Sequence, residues 1–228
     1  MTISEYFLMF IIYSFVGWSI EVINNIINNK KFVNRGFLIG PYCPIYGFGG
    51  ICITVFLTRY NDSILVLFVM AMAICGVLEY ITSYIMEKFF KARWWDYSNK
   101  KYNINGRICL ETMIPFGILG CFVIYITNPF LLYIFRNIPN HLINILAIII
   151  SIIFFIDNLI SFKIISNFRK STFFEVKKDS TEEITKRVKE VLINSSHLQK
   201  RLISAFPTLK INLETLGRAI RNKIDPKN

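Results

Sequence analysis

Four apolar stretches of this chain carry carboxylates, and arginines stand in the loops between them. The first stretch holds Tyr13, Gly17, Glu21, Asn24 and Asn28 at spacings of 4, 4, 3 and 4, which puts them on one helix face. Another holds Gly76, Glu79, Ser83 and Glu87 at spacings of 3, 4 and 4, again one face. Glu111 opens a further stretch one turn before Pro115, and Asp157 with Asn158 lies in the last third of the final one. A carboxylate at the centre of a bilayer costs about 2.5–3.5 kcal/mol on insertion scales. Acids on four helices should therefore face one another, a wet cavity or basic residues. Arg35, Arg93 and Arg107 are the bases within reach. We expect a polar cluster of Glu21, Glu79, Arg35 and Arg107 at one end of a helix bundle. Such a cluster can fix loops, hold a substrate or lipid headgroup, or pass protons, and spacing does not separate these uses. The run Trp94-Trp95-Asp96-Tyr97 adds an aromatic and charged loop. Trp and Tyr suit the membrane interface, apolar in the ring and wet at the N–H or O–H. Trp95 and Asp96, with Arg93, could equally form a ligand platform.

The positioning elements are five apolar spans, at about residues 5–27, 44–60, 64–87, 108–127 and 142–162. A crossing needs about 20 mainly apolar residues. The second span is the shortest, and its start is rich in Pro and Gly: Gly40-Pro41-Tyr42-Cys43-Pro44-Ile45-Tyr46-Gly47. Irregular backbone at membrane depth is tolerated where it is buried in protein or lines a cavity, so a pocket is expected near helix two. A soluble bundle is excluded by the run from Leu142 onward, which meets no charge until Asp157. The spans sort the 26 Lys and Arg almost completely. Lys30, Lys31, Arg35, Lys88, Lys91, Arg93, Lys100, Lys101, Arg107 and the tail fall on one side; Arg59 and Arg136 fall on the other. The positive-inside rule then predicts an inner or plasma membrane protein with its N-terminus outside and its tail in the cytoplasm. The fold class is all-α, a polytopic bundle over residues 1–165 with a basic tail over 166–228. The first span lacks a basic leader and a small-residue cleavage site, so it is expected to remain as an anchor.

From Lys163 onward the chain holds fifteen of the basic residues against seven acids. Attraction to an anionic lipid surface explains this charge, and no nucleic-acid motif accompanies it. Asp179-Ser180-Thr181-Glu182-Glu183 reads as a helix start. Apolar positions at 184, 188, 191, 198 and 202, then at 209, 213, 216, 220 and 224, predict two amphipathic helices separated by Pro207. They suit self-packing, the membrane surface or a partner protein. Five cysteines (43, 52, 75, 109 and 121) contain no CxxC pair and read as reduced structural thiols. His141 is predicted outside and His197 in the tail, so neither can join an intramembrane acid in nucleophilic catalysis. No catalytic residue, metal ligand set or cofactor is expected.

The runs Asn34-Arg35-Gly36 and Asn105-Gly106-Arg107 each follow a span with a Gly and then a Glu, Gly17 and Glu21 or Gly76 and Glu79. This predicts a weak parallel repeat of two helix pairs. Phe15-Val16-Gly17-Trp18 with Glu21, Asn34-Arg35-Gly36-Phe37-Leu38 through Gly47, Leu78-Glu79-Tyr80, Trp94-Trp95-Asp96-Tyr97 and Asn105-Gly106-Arg107-Ile108 occur in that order. In them the chain resembles the bacterial ABC-transporter permease family of the CmpB type, over roughly residues 5–160. The resemblance implies a permease subunit that moves a small solute or lipid. There is no GxxxxGK[ST] phosphate loop, so ATP hydrolysis would need a separate ATPase subunit. A homo-oligomer is also expected, because five helices form a narrow pathway alone. Two other readings stay open: a membrane scaffold or sensor with a partner-docking tail, and a lipid-modifying enzyme at the inner leaflet.

Overall fold

In the computed structural model the described residues are 1–90, 92–175, Arg201, Ser204, Ala205, Lys210 and Ile211. The elements in chain order are α1 (Ile3–Asn29), α2 (Pro44–Leu57), α3 (Ile64–Phe90), β1 (Ala92–Arg93), β2 (Asn103–Ile104), β3 (Ile108–Cys109), α4 (Leu110–Phe122), α5 (Asn128–Arg136), α6 (Asn140–Glu175) and β4 (Lys210–Ile211). The protein is an all-α bundle, with only short strand pairs, β2 with β3 and β1 with β4. Most of the stretch expected to form the two tail helices lies outside the described residues. Within it, Lys210 and Ile211 pair with Arg93 and Ala92 as a strand.

Among the described residues four helices are long and apolar enough to cross a membrane: Ile3–Asn29, Ile64–Phe89, Leu110–Arg136 and Asn140–Lys163. α2 is not one of them. Its 14 residues end at Leu57, with a 3₁₀ turn over Thr58–Tyr60. At 1.5 Å per residue it reaches about 21 Å, short of a bilayer core of about 30 Å. The physical reason is in the preceding chain. Cys43 donates its backbone N–H to the Ser14 carbonyl at 2.9 Å, halfway along α1, so α2 begins at mid-depth. Residues 36–43 cover the rest of the return without helix. The fourth span is longer than expected, because α4 and α5 join through a π-helical turn at Val123–Thr127. Pro129 has no N–H to continue an α-helical ladder, and the Asn128 N–H reaches back five residues to the Val123 carbonyl. The chain continues as helix through 165, since α6 runs to Glu175.

A reciprocal cap starts α1: Glu5 N–H donates to the Thr2 hydroxyl and Thr2 N–H to the Glu5 carboxylate. α1 packs against α2 and α3 against α4, and the two hairpins meet through α2 and α3. Two apolar clusters hold the end opposite the long loops. One joins Leu8, Met9 and Tyr13 of α1 to Leu131, Phe135, Ile143 and Ala147. The other joins Ile53, Leu57, Leu67, Ala71 and Ile124. The loops over 30–43 and 91–109 gather at the other end. Helix pairing in lipid lacks the aqueous hydrophobic drive and depends on close packing of small residues. Gly47 shows this: a Cβ there would lie 2.6 Å from the Phe10 carbonyl oxygen and 2.2 Å from Ser14 Oγ.

Gly47→Ala should destabilise the bundle by about 1–3 kcal/mol, because the backbone it strikes cannot change rotamer. Gly49→Ala should be near neutral, since its Cβ would meet nothing closer than Cys75 Sγ at 3.7 Å. Thermal unfolding of both variants in mild detergent checks the contrast.

Candidate functional site

The non-helical, bent return over 36–43 exposes backbone groups at a depth where water is scarce, and Asp157 of α6 satisfies those of Ile39 and Gly40. Its Oδ1 accepts from Ile39 N–H at 3.0 Å and its Oδ2 from Gly40 N–H at 2.7 Å. The Tyr42 hydroxyl donates to Oδ2 at 2.7 Å and Ser161 to Oδ1 at 2.8 Å. From the other side Asn34 accepts from the Trp18 indole N–H at 2.7 Å and donates to the Ile39 carbonyl at 2.7 Å. Burial, then the Asp157 carboxylate, pushes the Tyr42 phenol well above its ordinary range, so it stays a donor. Burial, with help from Glu21, pushes the Cys43 thiol up to about 12. Arg201 of the tail donates to the carbonyls of Leu38 at 2.8 Å and Phe37 at 3.2 Å.

Two of the sequence-derived residues meet in the first hairpin. Arg35 Nη2 lies 3.4 Å from Glu21 Oε2, while the Tyr46 hydroxyl donates to Glu21 Oε1 at 2.7 Å. Arg35 also donates to the Ala205 carbonyl. The second hairpin is wired differently. Arg107 Nη2 pairs with Glu87 Oε2 at 2.7 Å and Nη1 donates to Ser83 at 3.1 Å, with the rings of Tyr80 and Tyr84 beneath the guanidinium. Arg93 bonds the same Glu87 at 3.3 Å and lies 3.6 Å from Asp96. Asp96 further accepts from Ser98 N–H at 3.0 Å, which closes a turn, and Trp95 donates to the Arg107 carbonyl at 3.0 Å. Glu111 stands apart, in an exposed pair with Lys100 at 3.0 Å. Glu87 carries the arginines although no motif marks it. The signal was the i, i+4 spacing from Ser83, which lets one arginine reach both.

Glu79 has no arginine among the described residues. It accepts from the Tyr97 hydroxyl at 3.1 Å, and Thr112 Oγ1 lies 3.5 Å away. Burial and then Glu79 hold the Tyr97 phenol protonated far above its ordinary range. Glu79 is 6% exposed, and its side chain lines a cleft between the two hairpins. The cleft has a cavity volume of about 90 Å³ and is open on one side. Val16, Gly17 and Ile20 of α1, Tyr46 and Gly49 of α2, Cys75 and Leu78 of α3 and Phe116 and Leu119 of α4 form its walls. Val16 and Ile20 are exposed and mark its side opening. Tyr13 is a further lining residue, toward the end opposite the loops. It donates to the Asn128 side-chain carbonyl, which also receives Thr54 at 3.2 Å. The π-helical turn aims Asn128 inward, and these three residues were not singled out together by the sequence.

Four spanning helices around a buried polar set define a multi-pass membrane protein. The chain belongs to the family described as Putative ABC-transporter type IV, whose family model matches residues 8–162. That match covers the bundle and ends where the spanning part of α6 ends. It makes the chain a membrane component of the ABC-transporter class. Among curated proteins and solved structures none matches it.

Glu87→Ala leaves two arginines without their carboxylate and should cost about 3–5 kcal/mol, whereas Glu111→Ala, on an exposed pair, should cost under about 1 kcal/mol. Unfolding midpoints in detergent compare them. With the other four cysteines replaced by serine, Cys43 should react slowly with a maleimide at pH 8, because only the thiolate reacts. Asp157→Ala frees the segment, returns the thiol toward about 8.5 and should speed labelling on the order of a hundredfold.

Proposed function

We propose that this chain is the permease subunit of an ABC-type transporter, with the ATPase on a separate chain and an apolar or lipid-like substrate. The observation that supports this reading is the cleft between the α1/α2 and α3/α4 hairpins. It is walled almost wholly by apolar side chains, it opens sideways past Val16 and Ile20, and one carboxylate lies in its wall. A path for a hydrated solute needs polar groups along its length. An apolar cleft open to the side admits a molecule already dissolved in the bilayer. In this reading the end that bears the long basic loops faces the cytoplasm, by the positive-inside rule. The ATPase then meets the loops tied by Glu87, Arg93 and Arg107, and movement there is passed to the hairpins. The contacts of Arg201 and Ala205 with the first loop favour a second reading, in which the tail is a docking or sensing element.

The test is a mild-detergent purification of the tagged chain, then reconstitution of the complex with a fluorescent short-chain lipid. A stoichiometric ATPase should co-purify, and flux should depend on ATP. Gly49→Leu fills the cleft where space allows and should cut flux about tenfold, the effect of about 1.4 kcal/mol of lost binding. Unchanged flux in a folded Gly49→Leu protein, or a complex without an ATPase, overturns the reading.

A further inference from the structure

Glu79 differs from the other acids at the loop end in what faces it. Among the described residues the arginines of that end are engaged elsewhere: Arg35 with Glu21, Arg107 with Glu87, Arg93 with Glu87 and Asp96, and Arg201 with the carbonyls of Phe37 and Leu38. Lys100 pairs with Glu111. The hydroxyl bonds to Glu79 are also fewer than they look. Thr112 has a single O–H proton, and the Cys109 carbonyl at 2.9 Å is a better acceptor for it than Glu79 at 3.5 Å. Among the described residues Tyr97 is then the one strong donor to a group that can accept about four hydrogen bonds. The remaining capacity is at the cleft wall.

The surroundings specify what would fill it. Tyr46 and Phe116 line the same cleft, edge to face with ring centroids 6.4 Å apart. A carboxylate beside aromatic rings recognises an alkylammonium, by charge and by cation–π attraction. Beyond them the described wall residues carry no charge. From Tyr46 to Ile53 the lining of α2 rises seven residues, about 10 Å at 1.5 Å per residue. That length suits one alkyl chain lying along the helices. An anionic headgroup would meet Glu79 with like charge, and a neutral one would leave it without a counter-ion.

We infer that the cleft binds a single-chain amphiphile headed by an ammonium group, with Glu79 as the counter-ion and Tyr46 and Phe116 beside the cation. This rests on the cleft being the substrate site and names the substrate class.

The full-length protein in nanodiscs is titrated with dodecyltrimethylammonium, dodecanol and dodecyl sulfate, each against empty nanodiscs. The wild type should bind the ammonium at least about tenfold more tightly than the alcohol, the effect of about 1.4 kcal/mol, and the sulfate most weakly. Glu79→Gln should erase the difference between ammonium and alcohol while dodecanol binding persists. The wild-type ranking stands as a test even if the variant does not fold. Equal binding of ammonium and alcohol, preference for the sulfate, or an ammonium preference that survives Glu79→Gln overturns the inference. Gly49→Leu separates the two levels. If it weakens all three ligands and headgroups do not matter, the cleft stands and the ammonium assignment falls. If it weakens none, the cleft itself falls as the binding site.

Discussion

Backbone N–H and C=O groups at membrane depth must find partners inside the protein, and the carboxylate of Asp157 meets that demand for the return over 36–43. Much else depends on this arrangement. With Ile39 and Gly40 satisfied by α6, the chain can come back into the bundle without forming helix. α2 can then start at Pro44, where a missing N–H costs nothing, at the level of Ser14. A short α2 with glycines toward its neighbours packs closely on α1, while at Gly49 a Cβ would meet only Cys75 Sγ, at an ordinary contact distance of 3.7 Å. Gly49 and Cys75 both line the cleft. Removing the carboxylate would therefore be felt first in the backbone and only then in the cavity.

The two hairpins use similar residues for different purposes. Each second helix follows a buried, extended cysteine, Cys43 or Cys109, and each loop sends an arginine back to the first helix of its pair. In the first hairpin that arginine takes Glu21. In the second it takes Glu87, two turns further along α3 than Glu79. The shift leaves one hairpin with its inner carboxylate paired and the other with its inner carboxylate facing the cleft. The asymmetry is small in sequence and large in electrostatic effect, because a desolvated charge interacts far more strongly than an exposed one.

The tail touches both hairpin loops. Arg201 holds the carbonyls of Phe37 and Leu38 in the first, and β4 pairs with β1 in the second. Burial lowers the pKa of the Arg201 guanidinium while Asp157 and Cys43 oppose that shift. The family match ends at residue 162, so these contacts tie a segment beyond the matched region to the loops of the matched bundle.

The sequence by itself determined the all-α bundle, the membrane-spanning character of four of its helices and the family. Hydropathy over twenty residues is a local property, and the ordered motifs from Phe15 to Ile108 are linear features. It offered Glu21, Glu79, Arg35 and Arg107 as one cluster without dividing them into pairs, and the structure pairs Glu21 with Arg35 and Arg107 with Glu87. Only the tertiary structure decided that α2 begins level with Ser14 of α1 and runs 14 residues. The return before it is held by a hydrogen-bonding carboxylate about 115 residues away, and pattern reading has no access to that contact. It likewise decided that Arg107 meets Glu87, since one helix face offers two acids and loop geometry selects between them. The cleft was legible only as an expectation of a pocket near helix two. Its shape depends on how two hairpins diverge, which follows from side-chain packing among four helices and not from any one segment.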